Sequence, residues 1–172
     1  CKLELLMKQA EITVEDRKVT IVALEREKNE NGNPAMAIEL RDGTIVSGGT
    51  SELLGAASSA LINALKVLAG IDKEVKLIDP KAIDPIQDLK INYLGSKNPR
   101  LHTDEVLTAL SATAANNEIA MKAMKKLPLL KGCDAHSTVL LSSVDEQIFK
   151  KLGIQLTCEP KYEEDERMYH KN

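Results

Sequence analysis

The run Ser47-Gly48-Gly49-Thr50-Ser51-Glu52-Leu53-Leu54 carries the strongest structural signal in this chain. It is typical of a strand end, a tight glycine turn, a hydroxyl cap and a long apolar helix. Thr50 or Ser51 is predicted to cap that helix, which runs to about Ala69 and ends at Gly70. Backbone N–H groups at a helix start form a cradle for phosphate or carboxylate. The run therefore predicts an anion site at Gly48, Gly49, Thr50 and Ser51; the alternative is an ordinary strand-to-helix turn.

Short apolar runs on both sides of this stretch predict a sheet. Residues 19–24 are β-branched and apolar and predict a strand, and a polar loop follows over 25–34. Asp42-Gly43 lies between the apolar runs 35–40 and 44–47, which predicts a β-hairpin with a type I′ turn. Residues 74–78 predict a further short strand.

Helix signals follow in the second half of the chain. Asp79 is predicted to cap a helix that begins at Pro80. A helical hairpin is predicted over 103–114 and 117–126, capped by Thr103 and by either Asn116 or Asn117.

The C-terminal part predicts a β-α-β unit. Its strands cover 137–141 and 154–158, and Ser143 caps a helix between them that runs through Leu152 to a stop at Gly153. So short a crossover favours parallel strands. Together these elements predict a mixed α/β fold: a small mixed sheet with a β-hairpin, a C-terminal β-α-β unit and packed helices.

The composition narrows the class of partner. The 172 residues carry a net charge of −3, and aromatic residues make up only 2%. A chain without a basic stripe or stacking platforms is a poor match for nucleic acid. No apolar run approaches the ~20 residues that span a bilayer, so we expect no membrane partner.

Three scattered cysteines favour reduced thiols and a cytoplasmic location. The chain begins at Cys1, for which a fragment of a longer protein is the simpler interpretation and a mature start the alternative. Residues 2–10 are predicted to finish a helix that begins upstream. We expect one α/β domain over 1–160, the C-terminal part of that longer protein, and a charged, flexible tail over 161–172.

His102 is the candidate catalytic residue, because imidazole transfers protons near neutral pH. It lies with Arg100 in a loop that opens a helix, and both side chains are suited to an anionic substrate. The alternative is a surface histidine beside the first-turn acids Asp104 and Glu105.

Cys133-x-x-His136 is a weaker candidate. The predicted strands place His136 and Cys158 at opposite ends of neighbouring parallel strands, and zinc requires four clustered ligands. No metal site is therefore predicted. A buried structural role is favoured for Cys133 and Cys158.

Three motifs together resemble one known family. They are residues 49–56 followed by 60–65, Asn98-Pro99-Arg100-Leu101-His102-Thr103-Asp104-Glu105-Val106-Leu107, and residues 132–137 continuing to 151–160. These resemble the C-terminal portion of a bacterial family known as domain of unknown function 1846, and the resemblance covers about 35–162. It implies a longer cytoplasmic protein with a glycine-rich, nucleotide-type loop upstream, and it implies no reaction or cofactor.

The function expected from the residues is ligand binding. We predict one pocket for a phosphorylated or carboxylated small molecule, completed by the upstream domain of the same polypeptide in a larger enzyme. The alternative is a non-catalytic dimerisation or lid module, with homo-oligomers as a further expectation. The pocket is predicted to gather residues from element ends: Gly48, Gly49, Thr50, Ser51, Arg100, His102, Thr103 and His136.

Overall fold

The computed structural model describes residues 17–163. The predictions for residues 2–10 and for the tail beyond residue 163 lie outside the described residues. The elements, in chain order, are α1 (Lys18–Asn29), β1 (Ala35–Glu39), β2 (Ile45–Gly49), α2 (Ala56–Ala69), α3 (Pro80–Asp88), a π-helix (Leu89–Tyr93), α4 (Thr103–Ala114), α5 (Glu118–Met124), a 3-10 helix (Leu127–Leu130), β3 (Asp134–Ser137), α6 (Ser143–Leu152) and β4 (Gln155–Cys158). Within residues 17–163, no helix has the length and apolar character that crossing a bilayer requires.

The four strands form one mixed sheet in the order β2-β1-β3-β4. β1 pairs antiparallel with both β2 and β3, and β3 pairs parallel with β4. The predicted mixed α/β class is therefore confirmed. Alternation along β1 divides its side chains between two faces: Ala37 packs with Val19 and Ala23 of α1, and Met36 and Ile38 belong to the main aliphatic core.

The predicted hairpin is confirmed, but its turn is of a different type. Gly43 has φ +90°, whereas Asp42 does not lie in the positive region. The Gly43 N–H donates to the Leu40 carbonyl at 2.9 Å, and the Leu40 N–H donates to the Thr44 carbonyl at 2.8 Å. This is a type I turn followed by a left-handed glycine, the geometry of a three-residue hairpin loop.

The strand predicted over 19–24 is wrong, because these residues belong to α1. Val19, Thr20 and Ala23 are buried together, the i, i+1, i+4 spacing of one helix face. A short β-branched run does not distinguish strand from helix by itself. The strand predicted over 74–78 is also wrong: Leu77 and Ile78 are both buried, without the alternation of a half-buried strand.

α2 ends where the sequence indicates and begins later. Gly70 ends it in the left-handed conformation, with φ +66°. Its first helical residue is Ala56, so neither Thr50 nor Ser51 caps it. Gly48 is required for packing rather than for a turn, because a Cβ there would lie 2.3 Å from the Ala60 backbone nitrogen.

Two of the other predicted helix caps, Asp79 and Asn117, are confirmed. The Asp79 carboxylate accepts from the Lys81 N–H at 2.9 Å, and the Asn117 side chain accepts from two first-turn amides of α5. The cap predicted at Thr103 is wrong by one residue: His102 is the N-cap of α4. The Glu105 carboxylate accepts from the His102 backbone N–H at 2.9 Å, which explains the shift.

The C-terminal unit has the predicted parallel strands and the predicted stop at Gly153, with φ +79°. Its helix cap is Ser142 rather than Ser143. The first strand lies earlier than predicted, over Asp134–Ser137, so its register places Ser137 opposite Cys158. The prediction that His136 and Cys158 occupy opposite ends of the strands is therefore wrong.

Candidate functional site

The segment between β2 and α2 docks onto a distant loop instead of starting a helix. Leu54 forms a parallel bridge with Leu101, and the Leu101 N–H donates to the Leu53 carbonyl at 2.9 Å. The Ser51 hydroxyl accepts from the N–H groups of Leu53 and Leu54 and so turns the chain locally. This docking brings the loop around Leu101 to the N-terminus of α2.

The N-terminus of α2 has no side-chain cap. Gly55 occupies the N-cap position and has no side chain with which to accept the first-turn N–H groups. The buried Ser58 hydroxyl donates to the Leu101 carbonyl at 2.9 Å, which fixes the loop against the helix. The amide end of α2 thus lies beside the residues that follow Leu101.

A small cavity lies at this junction. Its volume is about 40 Å³. Three parts of the chain line it, together with two single residues. These parts are the start of α2, the loop before α4, and the segment that leads into the first turn of α6. They are Pro34, Gly55, Ala56, Ala57, Asn98, Arg100, Leu101, His102, Val139, Leu140, Leu141, Ser142, Asp145 and Glu163.

Asp145 is an acidic residue in the lining of this cavity, which we call the His102 cavity. It is buried in the first turn of α6. Its Oδ1 accepts from the Thr103 backbone N–H at 2.9 Å and from the Thr103 hydroxyl at 2.6 Å. Its Oδ2 lies 3.5 Å from Nδ1 of His102. One carboxylate therefore fixes both residues that begin α4.

The electrostatics of the pair favour a charged imidazole. The interaction with Asp145 raises the pKa of His102, against the opposing effects of burial and of Lys90. Burial alone would raise the pKa of Asp145, but hydrogen bonds from His102 and Thr103 hold it below its usual value. His102 is partly exposed, with 31% of its side chain accessible, so a positive charge is available on the cavity wall.

The buried Lys90 side chain stabilises the loop that carries His102. Nζ of Lys90 donates to the Arg100 carbonyl at 2.5 Å and to Oε1 of Glu105 at 2.8 Å. Glu105 also accepts from the His102 N–H. Arg100 in turn donates through Nε to the Ser51 carbonyl at 2.6 Å. The backbone around His102 is consequently fixed by charge-assisted hydrogen bonds.

A second depression lies at the edge of the sheet and holds the predicted glycine-turn residues. It measures about 400 Å³, and Gly49, Thr50 and Ser51 line it together with Arg26 and Lys66. The Thr50 hydroxyl donates to the Pro34 carbonyl at 2.9 Å and is thus used within the protein. We call this second site the Thr50 depression.

Acidic and structural contacts occupy much of the Thr50 depression. Arg26 forms a 2.8 Å ion pair with Glu30 and donates to the Ser47 hydroxyl. The Glu30 carboxylate also approaches Gly49, since a Cβ there would lie 2.9 Å from its Oε1. These contacts offset the positive charge that an anion would require.

His136 belongs to a third polar group, on the sheet face that α1 covers. It pairs in register with Ala37 and Thr157 and is fully buried. Nε2 lies 2.9 Å from the Glu159 carboxylate and Nδ1 lies 2.7 Å from the Thr157 hydroxyl. Arg17 donates to that same hydroxyl at 2.9 Å.

Burial favours the neutral imidazole at His136, and its partners can satisfy that form. A carboxylate only accepts, so Nε2 carries the proton that is directed at Glu159. The Thr157 hydroxyl accepts from Arg17. Its own proton has two acceptors within reach, the Ala135 carbonyl at 3.4 Å and, in the neutral imidazole, Nδ1 at 2.7 Å. Burial lowers the pKa of His136 despite the raising effect of Glu159. Both ring nitrogens are thus used within the protein.

Residues 17–163 contain no group of three or more histidine, cysteine or acidic side chains placed to hold an ion. Cys133 is buried and Cys158 is half-buried, and both are free thiols. Burial raises the pKa of both thiols, as expected for structural rather than reactive cysteines.

Comparison with known proteins places the chain in a family. The family model described as domain of unknown function DUF1846, C-terminal, matches residues 15–169. This chain belongs to the DUF1846 family. It is 54% identical over 162 residues to a UPF0371 protein of Corynebacterium glutamicum, covering 94% of this chain and 32% of that protein. It is 52% identical over 170 residues to a UPF0371 protein of Streptococcus thermophilus, covering 99% of this chain and 34% of that protein.

A UPF0371 protein of Streptococcus sanguinis is 54% identical over 171 residues, which cover 99% of this chain and 34% of that protein. The resemblance predicted from the three motifs is confirmed. The chain spans about a third of the length of the curated relatives it matches.

The predicted site residues of this DUF1846 domain fall into separate places. Arg100 and His102 line the His102 cavity, and Thr103 adjoins it through Asp145. Three of the glycine-turn residues line the Thr50 depression and Gly48 lies beneath α2. His136 lies on the opposite face of the sheet. The structure does not bring all eight into one pocket.

Sequence reasoning missed the groups that organise the cavity. Asp145 looks like an ordinary first-turn acid of α6, and Lys90 like one of many surface lysines. The uncapped start of α2 at Gly55 was also missed, because the hydroxyls of Thr50 and Ser51 provide the more obvious cap signal. Only the contact between Glu105 and the His102 N–H could have been suspected, since an acid at the third position of a helix commonly accepts from the N-cap N–H.

Proposed function

We propose that this domain binds the phosphate or carboxylate group of a small molecule in the His102 cavity, as one wall of an active site in a larger enzyme. The observation that carries the proposal is the meeting of two features at one cavity. The imidazole of His102 is paired with a buried carboxylate, and the N-terminus of α2 has no side-chain cap. A helix N-terminus and an imidazolium both attract anions.

The size of the cavity limits which part of a ligand it accepts. At about 40 Å³ it has room for a few water-sized groups, since one water needs roughly 10–15 Å³ by this measure. That is enough for a carboxylate or a phosphoryl group and too little for a whole metabolite. The remainder of the ligand would extend toward the part of the full-length polypeptide that completes the site.

His102 would then serve as a proton donor to the bound group. Its pKa is raised by Asp145, so protonated imidazole is present near neutral pH and can act as a general acid. Asp145 is a positioning residue in this proposal, because its two carboxylate oxygens are engaged by Thr103 and His102. The two free thiols support a reducing, cytoplasmic setting for this chemistry.

Titration with inorganic phosphate, followed by amide NMR shifts, tests the binding. We expect the largest shifts at Ala56, Ala57 and His102. His102→Gln should weaken binding by roughly ten- to a hundredfold at pH 6, since a charge-assisted hydrogen bond contributes about 1.5–3 kcal/mol. Binding should also weaken as the pH rises through the pKa of His102, because the imidazole loses its charge.

Two further variants make the test specific. Arg26→Gln removes one positive charge from the Thr50 depression and should leave phosphate binding unchanged. If it weakens binding and His102→Gln does not, the anion site is the Thr50 depression and the proposal is wrong. Lys66→Gln removes the other positive charge that lines the Thr50 depression and should likewise leave phosphate binding unchanged.

A further inference from the structure

The π-helix that follows α3 exposes large apolar side chains on one side. Tyr93 is 75% exposed, Leu94 is 71% exposed and Leu89 is 47% exposed. The Leu94 N–H donates to the Leu89 carbonyl at 3.0 Å, which closes one π-turn. Tyr93 and Leu94 follow Leu89 by four and five residues, about one π-helical turn, so both lie near Leu89 on one side of this segment. We call these three exposed side chains the π-helix patch.

The backbone that carries the π-helix patch is fixed by hydrogen bonds, although the side chains of the patch are exposed. Within α3 and the π-helix, only Ile83 and Lys90 are buried. Lys90 anchors the segment to Arg100 and Glu105, and the Ser96 N–H donates to the Lys90 carbonyl at 2.8 Å. π-turns often occur at functional sites, and clustered exposed apolar groups mark interaction surfaces.

We infer that the π-helix patch is the docking surface for the portion of the full-length DUF1846 polypeptide that lies outside this domain. The chain spans only about a third of the length of its curated relatives, so a full-length member has a large additional region to seat against this domain. The complementary surface would be apolar, with a hydrogen-bond acceptor for the Tyr93 hydroxyl.

The area of the patch favours this occupant over a second copy of the chain. A stable dimer buries about 800 Å² on each partner. Three side chains, each presenting at most roughly 200 Å², fall short of that area. A region of the same polypeptide needs less contact area, because the covalent link gives it a high effective concentration.

The position of the patch connects it to the His102 cavity. Lys90 lies under the patch and donates to the Arg100 carbonyl, two residues from His102. A region docked on the patch would therefore lie beside the loop that carries His102. The inference extends the proposed function by naming the surface through which the rest of the polypeptide reaches the site, and the patch could be covered even if the cavity bound no anion.

Photo-cross-linking in a full-length family polypeptide that carries this domain tests the inference. Tyr93 is replaced by p-benzoyl-phenylalanine, and the matched control places the same group at Ile119, which is 48% exposed on α5. We expect the probe at position 93 to attach within the same molecule to a peptide from outside residues 1–172, identified by mass spectrometry. The probe at position 119 should give at least tenfold less of that product.

A dimer-sized product from position 93 would overturn the inference in favour of a second copy. Equal yields at 93 and 119, or no product at 93, would also overturn it. A second probe at Leu94 guards against a local effect of the first and should capture the same peptide. Phosphate titration of the same full-length preparation reports on the His102 cavity separately, so failure of docking and failure of anion binding are distinguishable.

Discussion

Two histidine–carboxylate pairs in the described part of this domain behave in opposite ways. His102 lies beside Asp145 at a cavity, and His136 lies beside Glu159 under α1. The first imidazole is partly exposed and its pKa is raised, whereas the second is fully buried and its pKa is lowered. A histidine–carboxylate pair is therefore suited to bind a ligand only where the imidazole keeps access to solvent.

The difference follows from what surrounds each acid. Asp145 is buried and satisfied by Thr103, so its charge is fixed and acts on His102. Around His136 the Arg17 guanidinium adds positive charge, and burial penalises an imidazolium. The Asp145 pair therefore favours a positive charge on His102, whereas the Glu159 pair holds a neutral His136 within the sheet.

The largest expected loss of stability is at Asp145, the partner of His102. Asp145→Ala should lower the free energy of unfolding by about 3 kcal/mol, because it leaves the buried Thr103 hydroxyl and N–H without an acceptor. Urea denaturation measures the loss. Glu146→Ala removes an exposed acid from the same helical turn and should change the stability by less than about 0.5 kcal/mol. Similar losses in both variants would mean that Asp145 adds only helix-terminal charge.

On the other face of the sheet, His136→Leu should lower the free energy of unfolding by about 2 kcal/mol. The substitution leaves Glu159 and the Thr157 hydroxyl without their imidazole partners. Glu159→Gln keeps an acceptor for the Nε2 proton and should cost less. Equal stability of His136→Leu and the wild type in urea would show that the polar group contributes nothing to the sheet.

A smaller effect is expected at the contact that positions the His102 loop. Ser58→Ala removes the hydroxyl that donates to the Leu101 carbonyl and should cost about 1 kcal/mol. Ser59→Ala, one residue on, serves as the control, with a change below about 0.5 kcal/mol. If Ser58→Ala also weakens phosphate binding, the loop must be held against α2 for the cavity to form.

The smallest expected effect is the pH dependence of the stability that His102 and His136 contribute. NMR titration should place the pKa of His102 above 6.5 and that of His136 below it. The stabilisation from His102 is then complete below pH 6.5 and is lost as the pH rises through its folded pKa. The stabilisation from His136 is complete above pH 6.5 and is lost as the pH falls through its folded pKa.

The stability of single variants at two pH values checks these signs. His102→Gln should be less destabilising at pH 8 than at pH 6, and His136→Gln less destabilising at pH 5 than at pH 7.5. If both variants shift in the same direction, the two pairs do not differ as the structure indicates.

Much of the fold followed from local sequence signals. The hairpin around Gly43, the helix start at Asp79 and the stops at Gly70 and Gly153 depend on φ preferences and side-chain caps that act over a few residues. Residues 19–24 were mistaken for a strand, because a short apolar run of β-branched residues has no decisive period. Packing of Val19 and Ala23 against Ala37 fixed that segment as a helix.

The candidate site was less predictable. His102 and Arg100 were found from residue type and loop position, and both line the cavity. Thr50 and Ser51 were assigned to it because a hydroxyl before an apolar run is the usual helix cap. In the structure Thr50 bonds to the Pro34 carbonyl and the helix begins at Ala56. Asp145 had no local signal, since its partner Thr103 lies 42 residues away.

The sequence by itself determined the β-hairpin, the helix stops at Gly70 and Gly153 and the family, because each depends on short-range preferences or on long matched motifs. Only the tertiary structure decided which polar ends meet. The sheet register places His136 on the face that α1 covers. The bridge between Leu54 and Leu101 places His102 beside the start of α2. Contacts between distant segments are set by how the packed layers fit together, and no local pattern of residues encodes that fit.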